Sequence, residues 1–313
     1  LWTLLSTWLA KQAPAGNFGV AVETWLGPIL GKVFLLWFAA YWFLLSIGVL
    51  SEVSFVFHIV ALPATPRGVL QVAFLFLVIY TDLYGIETCI RTIQALLMLA
   101  IPLMLSFLLT AFAAARWTNL LPLLDASLVD MVKATYYISP YPLAGILTTL
   151  FLAVQVQDQE QIGIKSVLFH WLAGLLLALI VAVTIAVLGC CVTESYVYPT
   201  IPLAQSINIG GTLVGVEILV YPLWLLSGYI KSAIAFVIAS ATVAALFPAF
   251  KQPWRAWGLG LIVLVVAMLP ANLREVGRLL NICNFHLGIP FYLVIPVIAI
   301  GVKLNKGRKQ HAK

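Results

Sequence analysis

Charge is what this sequence has least of. Asp, Glu, Lys and Arg make up 9% of its 313 residues, against 63% hydrophobic ones and a mean hydropathy of +1.08. Soluble domains carry roughly 25% charged and 45 to 50% apolar residues, so these charges are too few to cover a water-facing surface. Cysteine and histidine are also scarce, at four each. Cys190 and Cys191 adjoin at the end of an apolar run, while Cys89 and Cys283 stand alone, and none has metal-ligand spacing. They read as small buried apolar residues. No hydrolytic triad, phosphate-binding loop or metal cluster is recognisable, so the expectation is a protein without catalytic residues, metal or cofactor.

Long apolar runs are what the sequence does have. A bilayer core requires about 20 mostly apolar residues per helical crossing, because each backbone N–H and C=O must be satisfied within the segment. Residues 1–10 read as the last turns of a helix begun upstream, closed by Pro14-Ala15-Gly16-Asn17. About eight crossings follow: Val33 to Val60, Val69 into the polar cluster Thr81 to Glu87, Ile93 to Ala115, Tyr136 to Val154, Val167 to Leu188, a long one from Leu213 to Phe247, Trp257 to Leu269, and Leu287 to Val302. Leu120 to Lys133 reads as an amphipathic connector along the interface. The whole chain, 1–313, is thus expected to be one all-α transmembrane domain. The net charge of +6 belongs to loops and to the tail Lys303, Lys306, Arg308, Lys309 and Lys313. It is an orientation signal that places the tail on the cytoplasmic side, with no nucleic acid implied.

Within this pattern a few residues stand out. The fourth crossing carries Ser139, Pro140, Tyr141, Pro142 and Gly145, and two prolines so close exclude a continuous helix. Unwound backbone at membrane depth must line protein or water. It exposes carbonyls and the positive end of a half-helix, which suits a zwitterionic amino acid. Lys231 interrupts the long sixth crossing. A Lys at the bilayer centre costs about 2.5 to 3.5 kcal/mol, so it is expected either to face the interior and pair or, near a helix end, to snorkel. Glu87 and Arg91 sit four apart, the spacing of a helical ion pair. Glu52, near Ser51, Ser54 and His58, and Glu217 read as interfacial residues. His170 and His286 lie at segment ends, where satisfied or solvated imidazoles are the default.

Five groups of residues, in order, carry a family resemblance. They are Trp25-Leu26-Gly27-Pro28 with Gly31-Lys32, Tyr84-Gly85-Ile86-Glu87 with Arg91, Asn119-Leu120-Leu121-Pro122-Leu123-Leu124, then Trp224, Gly228 and Lys231, and finally Pro270-Ala271-Asn272. In this order the chain resembles the B subunit of GerA-type spore germinant receptors, which is similar in turn to the amino acid, polyamine and organocation transporter superfamily. The resemblance implies an inverted-repeat, transporter-like bundle of which this chain lacks the first crossing and most of the second. It implies a binding site shared between broken helices, of which Ser139 to Gly145 is the one present. Relatives carry Phe-Gly-Glu where this chain has Leu143-Ala144-Gly145. By the same resemblance Lys231 takes the place of a coupling ion or a structural charge. The implied function is a multi-pass subunit of the spore inner membrane that binds a small germinant, such as an amino acid, and triggers germination with A-type and C-type partner subunits. The alternative is a proton-coupled amino acid permease.

Overall fold

The computed structural model describes residues 1–14, 16–122, 126–156, 162–207 and 217–311, with side chains as far as residue 305. Every regular element among them is helical: α1 (Trp2–Ala10), α2 (Phe18–Val60), α3 (Arg67–Leu83), α4 (Gly85–Ala114), α5 (Leu128–Ile138), α6 (Pro140–Gln155), α7 (Ile162–Leu188), α8 (Cys190–Ser195), α9 (Thr200–Ser206), α10 (Glu217–Leu246), α11 (Trp254–Met268), α12 (Leu273–Asn281) and α13 (Phe291–His311). A 3-10 turn occupies Trp117–Leu120 and a π-helical segment Ile282–Gly288. Part of the expected interfacial connector, residues 123–125, lies outside the described residues.

Among the described residues, α2, α4, α7, α10 and the run Leu273–Asn305 are each long and apolar enough to cross a bilayer, and α5 with α6 forms a sixth if taken as one bent span. The protein is therefore a multi-pass membrane protein. α3 and α11, counted as crossings in the sequence, have 17 and 15 residues. At 1.5 Å per residue they cover about 25 and 22 Å of a core about 30 Å thick. Pro66 and Pro253 cap their starts, where a missing N–H does no harm. α2 begins well before the expected Val33. It passes Trp25-Leu26-Gly27-Pro28 as a kink, with Gly27 at φ 79°, a conformation that only glycine takes without strain.

The chain forms two compact units. The first comprises Leu1–Cys89, Tyr137–His170 and Lys231–Lys313. Its core is aromatic: Phe18, Phe34, Phe38, Tyr41, Trp42, Phe151 and Phe291 are buried together, and Trp37 stacks on Phe291 at 3.9 Å between ring centroids. Lipid tails are as apolar as leucine, so helices in a bilayer associate through close packing and hydrogen bonds. Both occur here. Gly19 faces Ala245 so closely that an added Cβ would lie 2.7 Å from its side chain, and a Cβ on Gly48 would clash with Leu280. The C-terminal carbonyls of α11 are capped by α2 and α3. Ser51 Oγ and Gln71 Nε2 donate to Ala267 O at 3.1 and 2.8 Å, and Arg67 donates to Met268 O and Pro270 O at 2.8 and 2.6 Å.

The second unit comprises Ile90–Tyr136 and Trp171–Ile230. Its buried core is small, consisting of Phe107, Ala111, Val183, Leu203, Ala204, Ile207 and Val220. Arg116 N and Asn119 Nδ2 both donate to Ala186 O, at 3.0 and 2.9 Å. They seat the Asn119-Leu120-Leu121-Pro122 motif on α7.

Candidate functional site

The chain turns by 42° between α5 and α6, and the interruption is a single residue, Ser139. The sequence expected irregular backbone through Gly145, whereas α6 runs helically from Pro140 to Gln155. The prolines explain both facts. Pro140 lacks an N–H and its ring clashes with the carbonyl four residues back, which ends α5. At the first position of a new helix the same ring is pre-organised, so Pro140 and Pro142 start α6 instead of unwinding it. Leu143 N is the first amide placed to bond within the helix, to Ser139 O, so of the amides ahead of it in α6 the two prolines leave only that of Tyr141.

The carbonyl at the bend also has a side-chain partner. Tyr292 of α13 donates its hydroxyl to Ser139 O at 2.8 Å. Between α12 and α13, the π-helical segment follows from Pro290, which cannot donate, and from Ile289 N, which reaches back five residues to Asn284 O at 2.9 Å. Tyr137 packs edge-on against Phe285 of that segment, 6.0 Å between centroids. Two irregular backbone stretches therefore lie side by side.

Tyr41 of α2 completes this group. A Cβ built on Gly288 would lie 3.0 Å from its ring and 3.1 Å from Leu143, so Tyr41, the π segment and the first turn of α6 meet at Gly288. Cys283 Sγ donates to Tyr41 O at 3.3 Å, and the ring packs edge-on against Phe291. The side chain is 0% exposed, and its hydroxyl has no hydrogen-bond partner among the described residues. Sequence reading passed over Tyr41 within Ala39-Ala40-Tyr41-Trp42-Phe43. The available signal was a phenol inside an apolar run, since a buried Tyr needs a partner for its O–H.

The residues singled out in the sequence are distributed unevenly around this centre. Pro140 is buried and Ser139 half-buried, but Tyr141 is 70% exposed and Pro142 is exposed. Gly145 is a packing residue, since a Cβ there would lie 2.8 Å from His170 Nε2. His170 Nδ1 is 2.7 Å from Ser166 O. A carbonyl only accepts, so Nδ1 carries the proton, and Nε2 is left buried without a partner among the described residues. The satisfied histidine expected at 170 is thus satisfied on one side only.

Lys231 does not take the interior position that an intramembrane charge was expected to take. It is exposed, and among the described residues no hydrogen bond or ion pair involves it. The helical period turns its neighbour Ser232 inward instead, where Ser232 Oγ lies 3.4 Å from Ser46 Oγ of α2. Glu87 and Arg91 are exposed, one turn apart in the first turns of α4, and each is engaged in a polar or electrostatic contact. Among the described residues no three His, Cys, Asp or Glu side chains converge as metal ligands.

Residues 1–276 match the sequence model of the family described as spore germination protein. The chain is 21% identical over 301 residues to spore germination protein KB of Bacillus subtilis, an alignment covering 93% of this chain and 80% of that protein. It is 25% identical over 199 residues to a second Bacillus subtilis protein, YfkT, named provisionally as a spore germination protein, covering 63% of this chain and 54% of that one. A helical membrane protein with this match over most of its length belongs to the spore germination protein family.

Proposed function

We propose that the chain is a nutrient-sensing subunit of the spore inner membrane, taking a small germinant such as an amino acid where the α5–α6 bend, Tyr41 and the π-helical segment meet. The observation that carries this reading is the fully buried, unpartnered Tyr41 hydroxyl beside two stretches of irregular backbone. An unsatisfied donor in a water-excluded core costs about 1 to 3 kcal/mol, and a guest carboxylate removes that penalty. The N–H group of Tyr141 at the start of α6 adds a donor and the positive end of a helix. The guest's ammonium takes carbonyls of the irregular segments. Ser139, Pro140 and Pro142 fix where α6 starts, and Gly145 seats it against His170. A ligand bridging α6, α2 and the π segment favours one packing of these helices over another, and that population shift is the signal. Handing it on requires A-type and C-type partner subunits.

Tyr41→Phe tests the reading, because it keeps the ring and removes the hydroxyl. In spores carrying the full receptor, the nutrient concentration for half-maximal germination is expected to rise by about tenfold or more, as loss of a hydrogen bond to a charged group implies. An unaltered dose response with normal protein level overturns the site. The permease alternative is separated by uptake. Proton-dependent amino acid accumulation in liposomes, abolished by Lys231→Met, favours transport, whereas nutrient binding without uptake favours a receptor.

A further inference from the structure

α3 passes into α4 almost without a loop. Leu83 ends α3, Tyr84 makes the turn, and Gly85 opens α4 at φ +84°, a backbone conformation that a side chain would strain. Asp82, in the last turn of α3, is 4% exposed. A buried carboxylate needs donors, and two elements supply them. Ser240 of α10, itself 0% exposed, donates from Oγ to Asp82 Oδ2 at 2.8 Å. Gln252, just ahead of α11, donates from Nε2 to Asp82 Oδ2 at 2.9 Å and to the Asp82 carbonyl at 3.3 Å. Arg255 of α11 donates from Nε to Ser240 Oγ at 3.0 Å and from Nη1 to Phe250 O at 3.2 Å. The donors all run one way, from guanidinium to hydroxyl to carboxylate, so Ser240 carries the pairing of Arg255 with Asp82.

The position of this network matters as much as its strength. α3 and α11 are also joined at their opposite ends, where Arg67 and Gln71 hold the carbonyls of Ala267, Met268 and Pro270. Opening the Asp82 end therefore leaves the helix pair attached and frees only the end next to Gly85. Cys89 lies one turn beyond that glycine and is 0% exposed.

We propose that the Asp82–Ser240–Arg255 bridge is a latch on a hinge at Gly85: it holds the end of α3 against α10 and α11, and its release lets that end swing about Gly85 and opens the packing around Cys89. A few backbone positions at an element's end are sufficient to absorb such a movement. Breaking the bridge strands a buried charge, which makes the closed position far less favourable.

Two buried native thiols, Cys89 and Cys283, allow a direct test in the full chain reconstituted in liposomes, with the exposed Cys190 and Cys191 replaced by Ser. The rate of N-ethylmaleimide labelling is read separately at each thiol by mass spectrometry. Asp82→Ala and Arg255→Gln are expected to raise the rate at Cys89 by about tenfold, equivalent to about 1.4 kcal/mol, with Cys283 unchanged. Asp82→Asn, which keeps an acceptor for Ser240, raises it less. Should the Asp82→Ala protein not fold, Ser240→Ala breaks the same bridge with less disturbance. An equal rise at both thiols means general loosening and overturns the latch, as does an unchanged rate at Cys89.

Discussion

The two units solve the problem of standing in lipid differently. In the first, helices meet through glycines, stacked rings and hydrogen bonds, as at Gly19 on Ala245, Trp37 on Phe291, and Ser51, Gln71 and Arg67 on the end of α11. In the second, α4 and α7 carry apolar side chains such as Met98, Leu109, Trp171 and Leu175 on their exposed faces over a small buried core. Lipid provides no hydrophobic drive for helix association, so the first unit is held by specific contacts, and the second leaves much of its apolar surface facing the bilayer. Unused polar atoms follow the same division: the buried side-chain polar atoms without partners among the described residues, on Ser6, Trp25, Tyr41, Trp42, Gln71 and His170, are all in the first unit.

Substitutions sharpen this contrast, and thermal unfolding of the full chain in detergent ranks them. Phe291→Ala removes the ring against which Phe34, Trp37, Phe38 and Tyr41 pack, with an expected loss of about 3 kcal/mol. Gly19→Leu forces side-chain atoms against Ala245 Cβ, which has no rotamer to yield, and is expected to cost about 2 kcal/mol. Tyr292→Phe removes the hydroxyl that donates to the Ser139 carbonyl, for about 1 kcal/mol. Leu109→Ala, on an exposed face of the second unit, is expected to stay within about 0.5 kcal/mol of the parent. Equal losses for Leu109→Ala and Gly19→Leu would erase the distinction between the units.

Much of the architecture was legible in the sequence because apolar length and period are local properties. The run from Leu213 to Phe247 reads as one long helix, and its described part folds as α10, while the bend at Ser139 follows from Pro140 and Pro142. The Gly27-Pro28 pair did not reveal itself as a kink within a longer helix, because the same residues in a loop look identical. The π-helical segment has no period of its own in the sequence. The candidate site was only half legible. Ser139 and Pro140 were found by chain chemistry, but Tyr41 joins them through Gly288, distant along the chain, and Tyr292 through a hydroxyl that local pattern cannot aim. Lys231 misled because a single charge in an apolar run marks a constraint without marking a direction, and the helical register turned it outward.

The paired prolines at the head of α6 have a last consequence for chemical choice. A helix start ordinarily offers several amide hydrogens to an anion, and here every second one is replaced by a ring carbon. On the proposed reading, a visitor bearing one carboxylate would meet the amide of Tyr141 and a phenol, whereas phosphates and dicarboxylates would bring more negative charge than this doorway has hydrogens to meet. Under that proposal, discrimination by charge would follow from what proline leaves out of the backbone.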